Sequence, residues 1–368
     1  MSLEDEITKR AREIKTDGYP MSIGEVLSMY RDGDLEVHPE FQRIYRWEDT
    51  QKWRLIESIL LGIPIPTIFV SQQDDGTWDV IDGVQRLSTI LEFVGMYVDA
   101  DGTPLPQLQL GPTEYLPQLE GYVWEGAGLA QTEFSDTLRR DFKRSKLDFR
   151  IIKKESDSDA KFDLFQRLNS GTQLSAQESR NCLLVMLNAE FYRWMTALAA
   201  HPSFADTVQL STQKEDEGFR QELVLRFILQ LEYNDGAKDL PKELGEYVTD
   251  WVRSAALSSP TKLADWAAKF ETTFDYLLKH VGEDVFRKWD SDKGGRFIGA
   301  FSISAYEAIT SGVAWNIDAW TAAPSANPAR AVQDLWSDDY FRKNSGSGIS
   351  PRRRTPRLID FGRRYFRP

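Results

Sequence analysis

The first half of the chain alternates short apolar runs with amphipathic segments of helical spacing. Short strands are predicted for residues 35–38, 67–70, 78–81 and 147–152. Helices with one apolar face are predicted for residues 22–31, 49–61, 84–94 and 132–146. Asp74-Asp75-Gly76, between two of the strands, is a strong hairpin signal. The pattern predicts an α+β domain over residues 21–174, with residues 97–130 as an irregular insertion and residues 1–20 as an N-terminal arm.

The second half of the chain is helical in pattern. Ser175-Ala176-Gln177-Glu178 has the spacing of a capping box, which closes the first turn of a helix. Helical segments are predicted near residues 176–199, 220–232, 240–257, 261–280, 297–311 and 327–336. A helical domain is therefore expected over residues 175–344. The Ser- and Gly-rich segment 345–350 resembles a flexible tether, so residues 345–368 are predicted to form a flexible basic tail.

Charge is distributed unevenly along the 368 residues, whose net charge is −12. Residues 351–368 carry seven arginines and one aspartate, a net charge of +6, which leaves −18 on the other 350 residues. A basic tail on an acidic body either reaches nucleic acid or folds back onto that body. In the first case, the arginines that contact DNA phosphates are expected to be Arg352, Arg353, Arg354 and Arg357.

Cellular location is constrained by the apolar runs and the single cysteine. The longest apolar stretch, around residues 59–70, is interrupted by Gly62, Pro64 and Pro66, and it is shorter than the roughly 20 residues that a membrane span needs. The acidic N-terminus lacks the apolar core of a signal peptide. Cys182 lies in an apolar helical run, which favours a structural thiol in a reducing compartment. A cytoplasmic protein without a membrane partner is expected.

The first segment with candidate chemistry is Phe41-Gln42-Arg43-Ile44-Tyr45-Arg46-Trp47, which combines two arginines, a glutamine and three aromatic residues. The planar guanidinium group of arginine binds phosphate oxygens in a bidentate way, and a neighbouring aromatic ring can stack on a base. The alternative is a surface loop in which Tyr45 and Trp47 insert into the core. This segment alone favours the structural alternative.

The second segment, Val80-Ile81-Asp82-Gly83-Val84-Gln85-Arg86, joins a predicted strand to a predicted helix. Unpaired N–H groups and a partial positive charge at a helix N-terminus favour an anion there, and Arg86 would strengthen that field. Asp82 could hold a hydroxyl group, a divalent ion or an arginine. In the structural alternative, Asp82 is a simple N-cap, and Gln85 and Arg86 lie on a solvated helix face.

The third segment spans residues 162–172 and reads Phe-Asp-Leu-Phe-Gln-Arg-Leu-Asn-Ser-Gly-Thr. Polar side chains of Arg167, Asn169, Ser170 and Thr172 gather around the predicted end of a helix. A helix that ends at Asn169 with a glycine two residues later is also ordinary C-capping. This segment by itself favours a structural role.

Together, and in this order, the three segments resemble the N-terminal domain family of GmrSD-type restriction endonucleases. The family is also known as domain-of-unknown-function family 262, and it occurs in SspE-type phosphorothioation-sensing effectors. The resemblance covers roughly residues 20–235. It includes Leu55-Ile56-Glu57-Ser58-Ile59-Leu60 and Gly62-Ile63-Pro64-Ile65-Pro66 after the first segment, and Glu222-Leu223-Val224-Leu225-Arg226-Phe227 near its end. These motifs are specific when taken jointly.

The resemblance implies a ParB/sulfiredoxin-like fold in the head, in which the Asp-Gly-x-x-Arg turn forms part of a phosphate-binding pocket. It further implies binding and hydrolysis of a nucleoside triphosphate with Mg²⁺, and control of DNA cleavage. By position, Arg43, Arg86 and Arg167 would hold phosphates, and Asp82 would orient Mg²⁺ or ribose. The full set of implied nucleotide-site residues is Gln42, Arg43, Asp82, Gly83, Gln85, Arg86, Arg167 and Asn169. If hydrolysis occurs, the catalytic candidates are Asp82, Gln85 and Arg86.

Two departures from the family affect these expectations. Val84 stands where the family usually has glutamine, which weakens the case for hydrolysis more than the case for the fold. Larger members carry a C-terminal nuclease domain of the HNH type with a histidine-containing metal site. His38, His201 and His280 are far apart and lack the surroundings of such a site, so this nuclease domain is predicted to be absent.

These expectations lead to two main functional hypotheses. The first is a nucleotide-dependent regulator or effector subunit of a prokaryotic defence system, which acts on DNA with a nuclease or toxin partner protein. The second is a non-catalytic DNA- or protein-binding module of the same fold, favoured by Val84 and the basic tail. Nucleic-acid cleavage by the head itself finds least support, because no carboxylate cluster for a metal is visible. The surface of the helical domain could also serve as the interface of a homodimer.

Overall fold

The computed structural model describes residues 2–4, 15–37, 47–99, 102–126, 132–156, 175–291, 294–323, 327–346 and 348–368. The chain divides into two compact units, Met1–Leu174 and Ser175–Pro368. The second unit continues to the C-terminus and does not stop at residue 344.

The first unit is built on a five-stranded mixed sheet. Its strands are β1 (Thr16–Ser22), β2 (Leu35–Glu36), β3 (Ile68–Gln72), β4 (Trp78–Asp82) and β7 (Lys146–Ile152), in the order β1-β7-β3-β4-β2. Strands β1 and β7, and β3 and β4, pair antiparallel, whereas β7 pairs with β3 and β4 with β2 in parallel. A second, two-stranded parallel ladder joins β5 (Tyr122–Val123) to β6 (Thr132–Glu133). The four predicted strands are confirmed, although the described part of the first is only two residues long.

Strand β1 lies partly in the segment that was predicted to be an arm. Its sequence, Thr-Asp-Gly-Tyr-Pro-Met-Ser, has no apolar alternation, and five of its seven residues are exposed. The strand exists because each of its residues has a pairing partner along β7, from Thr16 opposite Ile152 to Ser22 opposite Lys146. Backbone pairing at a sheet edge leaves little trace in a hydrophobic pattern.

Among the described residues of the first unit, the helices that accompany the sheet are α1 (Ile23–Asp32), α2 (Asp49–Leu61), α3 (Val84–Phe93) and α4 (Asp136–Arg144). Ser22 caps α1, because its hydroxyl oxygen accepts a hydrogen bond from the Glu25 N–H. The cap of α2 is Glu48, which forms a capping box with Gln51. Gly62 ends α2 in the left-handed conformation that glycine adopts most easily.

The irregular insertion is anchored to helix α2 by two side chains. Trp53 donates a hydrogen bond from its ring to the Gln109 carbonyl at 3.1 Å. Its ring also lies so close to Gly111 that a Cβ atom there would be 2.3 Å from it. The buried Glu57 accepts hydrogen bonds from the N–H groups of Tyr115 and Leu116 at 2.8 and 2.9 Å. The insertion therefore has a defined position even though it is mostly without helix or strand.

The second unit is mostly helical. Its helices are α5 (Ala176–Leu187), α6 (Ala189–Ala199), α7 (Pro202–Thr207), α8 (Thr212–Asp216), α9 (Phe219–Glu232), α10 (Leu244–Ala255), α11 (Pro260–His280), α12 (Ile303–Trp315), α13 (Ile317–Ala322), α14 (Ala329–Asp334), α15 (Asp339–Asn344) and α16 (Pro351–Tyr365). A short hairpin joins β8 (Lys288–Asp290) to β9 (Arg296–Ile298). The capping box at Ser175 is confirmed in both directions.

Two predicted helix boundaries in this unit were wrong. Residues 176–199 form two helices, because Asn188 is extended and its side chain caps the second of them through the Phe191 N–H. The helix predicted from residue 297 begins only at Ile303, after strand β9 and the left-handed Gly299.

The prediction of a flexible tail was also wrong for most of residues 345–368. Pro351–Tyr365 is a helix that packs closely against α12, and Leu358, Ile359 and Phe366 are buried. The approach is so close that a Cβ atom on Gly362 would lie 2.1 Å from the Ala308 carbonyl oxygen. Burial of apolar side chains of this size stabilises a helix by several kcal/mol in total, at about 1.5–3 kcal/mol each, despite the many arginines.

The predicted fold class is confirmed: a mixed α/β head with a small mixed sheet precedes a mostly helical C-terminal region. Within the described residues, none of the helices has the length and apolar character needed to traverse a lipid bilayer.

Candidate functional site

The second motif forms a sharp turn between strand β4 and helix α3. Asp82 is the last residue of the strand, and Gly83 follows with φ of 101° and ψ of 11°. This left-handed conformation is strained for residues with a Cβ atom. A Cβ atom on Gly83 would also lie 3.0 Å from Ile68 Cγ1 and 3.2 Å from Arg86 Nη2. The backbone conformation therefore favours glycine here, and a Cβ atom would in addition crowd Ile68.

The guanidinium group of Arg86 ties this turn to the chain that precedes strand β3. Its Nη2 atom donates to Asp82 Oδ2 at 2.8 Å. Its Nη1 atom donates to the Pro66 carbonyl, and to the Thr67 carbonyl at 3.3 Å. The Arg86 side chain is only 11% exposed. Arg86 thus connects the Gly-Ile-Pro-Ile-Pro segment to the Asp-Gly turn, two motifs that the sequence places about 20 residues apart.

The N-terminus of helix α3 carries no side-chain cap. Its N-cap residue is Gly83, and within the helix the first backbone hydrogen bond runs from the Leu87 N–H to the Gly83 carbonyl. The alternative that Asp82 is a simple N-cap was wrong, because its carboxylate faces Arg86. Gln85 and Arg86 are half-buried and do not lie on a solvated helix face. A ten-residue helix with an uncapped N-terminus and an arginine in its first turn can bind an anion.

Gln85 links the second motif to the end of the first. Its Oε1 atom accepts a hydrogen bond from the Trp47 N–H at 3.4 Å. Its Nε2 atom is buried and has no hydrogen-bond partner among the described residues. A buried amide N–H group without a partner costs free energy unless a ligand or water accepts from it. Gln85 therefore has a free donor beside the turn.

The structure brings together part of the predicted nucleotide site. Asp82, Gly83, Gln85 and Arg86 form one cluster at the start of helix α3. The remaining predicted members, Gln42, Arg43, Arg167 and Asn169, lie outside the described residues. Their roles stay predictions.

The buried carboxylate of Glu57, on helix α2, has a structural role. Burial raises the pKa of Glu57, but hydrogen bonds from the Thr113 side chain and the Tyr115 and Leu116 N–H groups outweigh it. The nearby charge of Arg54 acts in the same direction as those hydrogen bonds, and the pKa of Glu57 lies below its ordinary value. Glu57 is thus a charged anchor for the insertion.

The prediction of Asp82 as a metal ligand stays a prediction. In the described part of the chain, no three His, Cys, Asp or Glu residues come close enough together to hold a metal ion. Asp82 brings a single carboxylate, and that carboxylate is paired with Arg86. Mg²⁺ in nucleotide sites is often held by one or two protein carboxylates together with phosphate oxygens and water. The residues therefore fit a metal that arrives with a nucleotide better than a metal bound by protein alone.

The four arginines predicted to bind DNA lie on helix α16 and are largely occupied by the protein itself. Arg354 is buried, and its guanidinium group binds both carboxylate oxygens of Glu307 at 2.9 and 3.1 Å. Arg353 and Arg357 pair with Asp239 at 3.6 and 3.3 Å. Arg352 donates to the Leu240 carbonyl at 2.6 Å. Of the two alternatives for the basic segment, the structure shows the one in which it folds back.

Sequence reasoning missed a network of buried ions in the second unit. Arg180 contacts Glu222 at 3.1 Å, and Glu222 also pairs with Arg226. Arg226 Nη1 lies 3.6 Å from Glu307, which in turn binds Arg354. Glu307 is fully buried and is the one charged residue of helix α12, whose other residues are apolar or uncharged polar. A single carboxylate in such an uncharged helix is the signal that could have predicted a buried cationic partner.

The two described histidines occupy structural positions. His201 precedes helix α7, and its Nε2 atom lies 2.9 Å from Asp275 Oδ1. His280 is the last residue of α11, as its predicted helix-end position requires, and its ring lies 4.3 Å from that of Tyr276. His38 lies outside the described residues. The predicted absence of an HNH-type nuclease domain stays a prediction.

Comparison with known proteins gives one result for the head. The model of the family "GmrSD restriction endonuclease, N-terminal domain" matches residues 23–185. No significant match was found among curated proteins or solved structures. The matched range contains the Asp82–Arg86 turn and the anchors of the insertion, and it agrees with the family indicated by the three motifs. Residues 23–185 are therefore similar to the N-terminal domain of GmrSD restriction endonucleases.

Proposed function

We propose that the chain binds a nucleoside triphosphate at the Asp82–Arg86 turn and acts as a regulator or effector subunit of a restriction-type defence system. The family of residues 23–185 supports the restriction-type role. The observation that carries the nucleotide assignment is the uncapped N-terminus of α3 with Arg86 in its first turn. Phosphate groups bind well where helix N–H groups and a guanidinium group converge.

The contacts of Arg86 indicate how a triphosphate would be accommodated. Arg86 is already oriented by the Pro66 and Thr67 carbonyls, so little side-chain entropy would be lost on binding. Its ion pair with Asp82 can be exchanged for one with a phosphate oxygen, because both residues retain some exposure. The free N–H group of Gln85 supplies a further donor. These three features favour an anionic ligand over an apolar one.

Magnesium would enter with the nucleotide. A bound Mg²⁺ ion would neutralise phosphate charge, and Asp82 is the described carboxylate placed to hold it. Gln85 and Arg86 would position the phosphates. Val84 is buried and adds no polar group to this turn, so binding that controls a partner nuclease or toxin protein is a better fit than rapid hydrolysis.

A thermal-shift panel of ATP, GTP, CTP and UTP with Mg²⁺ tests this assignment. At a ligand concentration of a hundred times the dissociation constant, binding stabilises the folded state by about 2.7 kcal/mol. For a chain of this size, that is a rise in Tm of roughly 5–10 °C at most. Arg86→Ala should abolish the rise, and Asp82→Asn should remove its dependence on Mg²⁺.

Each variant is compared with its own Tm without nucleotide, because Arg86→Ala also removes contacts within the fold. Arg31→Ala is the matched control, since Arg31 is an exposed arginine on α1 whose carboxylate neighbour is the adjacent Asp32. Its nucleotide-induced rise should equal that of the wild type. An equal rise in Arg86→Ala would show that any nucleotide binds elsewhere.

A non-catalytic DNA- or protein-binding module of the same fold is the second candidate function. It is favoured by Val84 and by the saturation of Arg86, which already has three oxygen partners. In that case none of the four nucleotides would raise Tm, and the ion pair with Asp82 would be purely structural.

A further inference from the structure

A second basic segment lies in the first unit, on helix α4 and strand β7. Residues 139–154 contain eight basic and two acidic residues, a net charge of +6. This equals the net charge of residues 351–368, although the whole chain carries −12. A local charge of this size on an acidic protein calls for an explanation in terms of an anionic partner.

Most basic side chains of this segment are exposed and have no carboxylate partner among the described residues. Arg140, Lys143, Lys146 and Arg150 are exposed and form no ion pair with any described residue. The Arg140 guanidinium group reaches only the Thr137 hydroxyl, at 3.5 Å, and Lys143 lies 5.6 Å from the centre of the Trp124 ring. On helix α16, by contrast, the guanidinium groups are held by Glu307, Asp239, Asp360 and backbone carbonyls.

Strand β7 presents part of this charge on one face of the sheet. Lys146, Asp148 and Arg150 are exposed and alternate with the buried Leu147 and Phe149. Lys146 and Arg150 are four residues apart, which is about 13 Å along a strand. One strand of duplex DNA carries about four phosphates over that length.

The neighbouring edge strand leaves this face open. In β1, the exposed Gly18 and Pro20 lie opposite Arg150 and Asp148. A Cβ atom on Gly18 would lie 2.9 Å from Arg150 Cδ, so the arginine side chain rests directly across the glycine. Two residues with small or compact side chains allow a phosphate backbone to approach Arg150 closely.

We infer that the exposed basic side chains of this segment bind the phosphate backbone of duplex DNA; they are Lys146 and Arg150 on β7 and Arg140 and Lys143 on α4, the helix that leads into β7, and the four together are called the α4–β7 surface. The inference rests on the proposed restriction-type function for the choice of DNA among polyanions. It places the DNA contact on the α4–β7 surface and not on the C-terminal arginines. Contacts of this kind supply affinity and orientation, whereas recognition of a sequence or modification requires contacts to bases.

The test measures binding of the full chain to a fluorescent duplex of about 20 base pairs, long enough to span the surface. The variant Arg140→Gln/Lys146→Gln/Arg150→Gln should bind roughly tenfold or more weakly near physiological salt. The slope of log affinity against log salt should fall by about 0.9 for each phosphate that the variant no longer neutralises, thus by up to about 2.7. The matched control, Arg353→Gln/Arg364→Gln/Arg367→Gln, removes the same charge from exposed positions on α16 and just after it, and should bind like the wild type.

A single substitution provides a gain of binding that misfolding cannot imitate. Asp148 is the exposed carboxylate between Lys146 and Arg150, so Asp148→Asn should strengthen DNA binding. The inference is overturned if the α4–β7 variant keeps wild-type affinity and salt slope, if the α16 variant loses them instead, or if the wild type binds no duplex.

Nucleotide binding in the same variants separates this inference from the proposed function. The α4–β7 variant should retain the full nucleotide-induced rise in Tm, because none of its substitutions lies at the Asp82–Arg86 turn. Loss of DNA binding with that rise intact supports the surface. A wild type that shows the rise but binds no DNA contradicts only the DNA surface, whereas DNA binding without any rise contradicts only the nucleotide site.

Discussion

Two arginine–carboxylate pairs in this protein have almost the same bond length and different surroundings. In the first unit, Arg86 and Asp82 are four residues apart, 2.8 Å from each other and partly exposed. In the second unit, Arg354 and Glu307 are 47 residues apart and 2.9 Å from each other, and Glu307 is fully buried. A pair at the surface can exchange one partner for a phosphate, whereas a buried pair has no such competitor. The two arginine side chains are equally exposed, at 11% for Arg86 and 10% for Arg354, so the exposure of the carboxylate, 29% for Asp82 and 0% for Glu307, separates the candidate binding pair from the structural one.

The surroundings of the two arginines reinforce this difference. The other partners of Arg86 are backbone carbonyls. These carbonyls are uncharged, and they can keep their hydrogen bonds from Arg86 when a ligand replaces Asp82. Arg354 belongs to a chain of ions that also includes Arg180, Glu222 and Arg226. Removal of one member of such a chain leaves another buried charge without a partner.

The largest expected effect is on the buried pair. Glu307→Gln should lower the free energy of unfolding by about 3–5 kcal/mol, because it leaves the Arg354 guanidinium group buried without a counter-charge. Unfolding in urea, followed by tryptophan fluorescence, measures this loss. The double variant Glu307→Leu/Arg354→Met should recover most of it, since neither charge then remains unpaired.

The matched control for the buried pair is Asp334→Asn, which breaks an exposed pair with Arg330 on α14. Its effect should stay within roughly 0.5 kcal/mol. If Glu307→Gln cost no more than this control, the distinction between the buried and the exposed pair would fail.

The second prediction concerns the turn that positions Arg86. Gly83→Ala should cost about 2–4 kcal/mol, of which roughly 1–2 kcal/mol is the left-handed backbone and the remainder is crowding against Ile68. Gly76→Ala isolates the backbone part, because Gly76 has a similar φ of 96° and open space around it. Urea unfolding of both variants gives the difference. Equal losses would show that the turn tolerates a Cβ atom and that the close approach of Ile68 is unimportant.

The sequence was sufficient to predict elements whose residues carry a local signal. Strands β3 and β4, their Asp74-Asp75-Gly76 turn and the capping box at Ser175 were all predicted and are present. The grouping of Asp82, Gly83, Gln85 and Arg86 followed from their closeness in sequence. The fold class was predicted from the change of hydrophobic period near residue 174.

Features that depend on distant partners were not predicted. The carbonyls that hold Arg86 lie about 20 residues earlier, and nothing in their side chains indicates that role. Strand β1 depends on backbone pairing with β7. The arginines of α16 are predicted to form a flexible tail, with folding back as the alternative, because the acidic residues that bind them, Glu307 and Asp239, are distant in sequence. Charge alone does not distinguish a buried arginine from one available to DNA.

The smallest expected effect concerns a carboxylate that is buried without a guanidinium partner in contact. Glu57 is held by backbone N–H groups, and its pKa is lowered although burial opposes this. Its stabilising contribution is therefore fully present above the unfolded-state pKa of about 4.5 and is lost as pH falls through the lower folded-state pKa. Glu57→Gln should destabilise the protein at pH 7, and the difference from wild type should shrink below about pH 4.5.

The effect is measured as the Tm of wild type and of Glu57→Gln across this pH range. The reference is Glu120→Gln, which removes the same charge from an exposed position of the insertion. If the difference in Tm between wild type and Glu57→Gln stays constant on acidification, the hydrogen bonds from the Tyr115 and Leu116 N–H groups do not require a charged acceptor. In that case shape alone, and not charge, would hold the insertion on α2, and Glu57 would resemble neither the exposed nor the buried ion pair. If the difference in Tm shrinks, the charge of Glu57 matters for stability. Glu57 would then represent a third kind of carboxylate site, in which peptide N–H groups, and not an arginine, stabilise the negative charge.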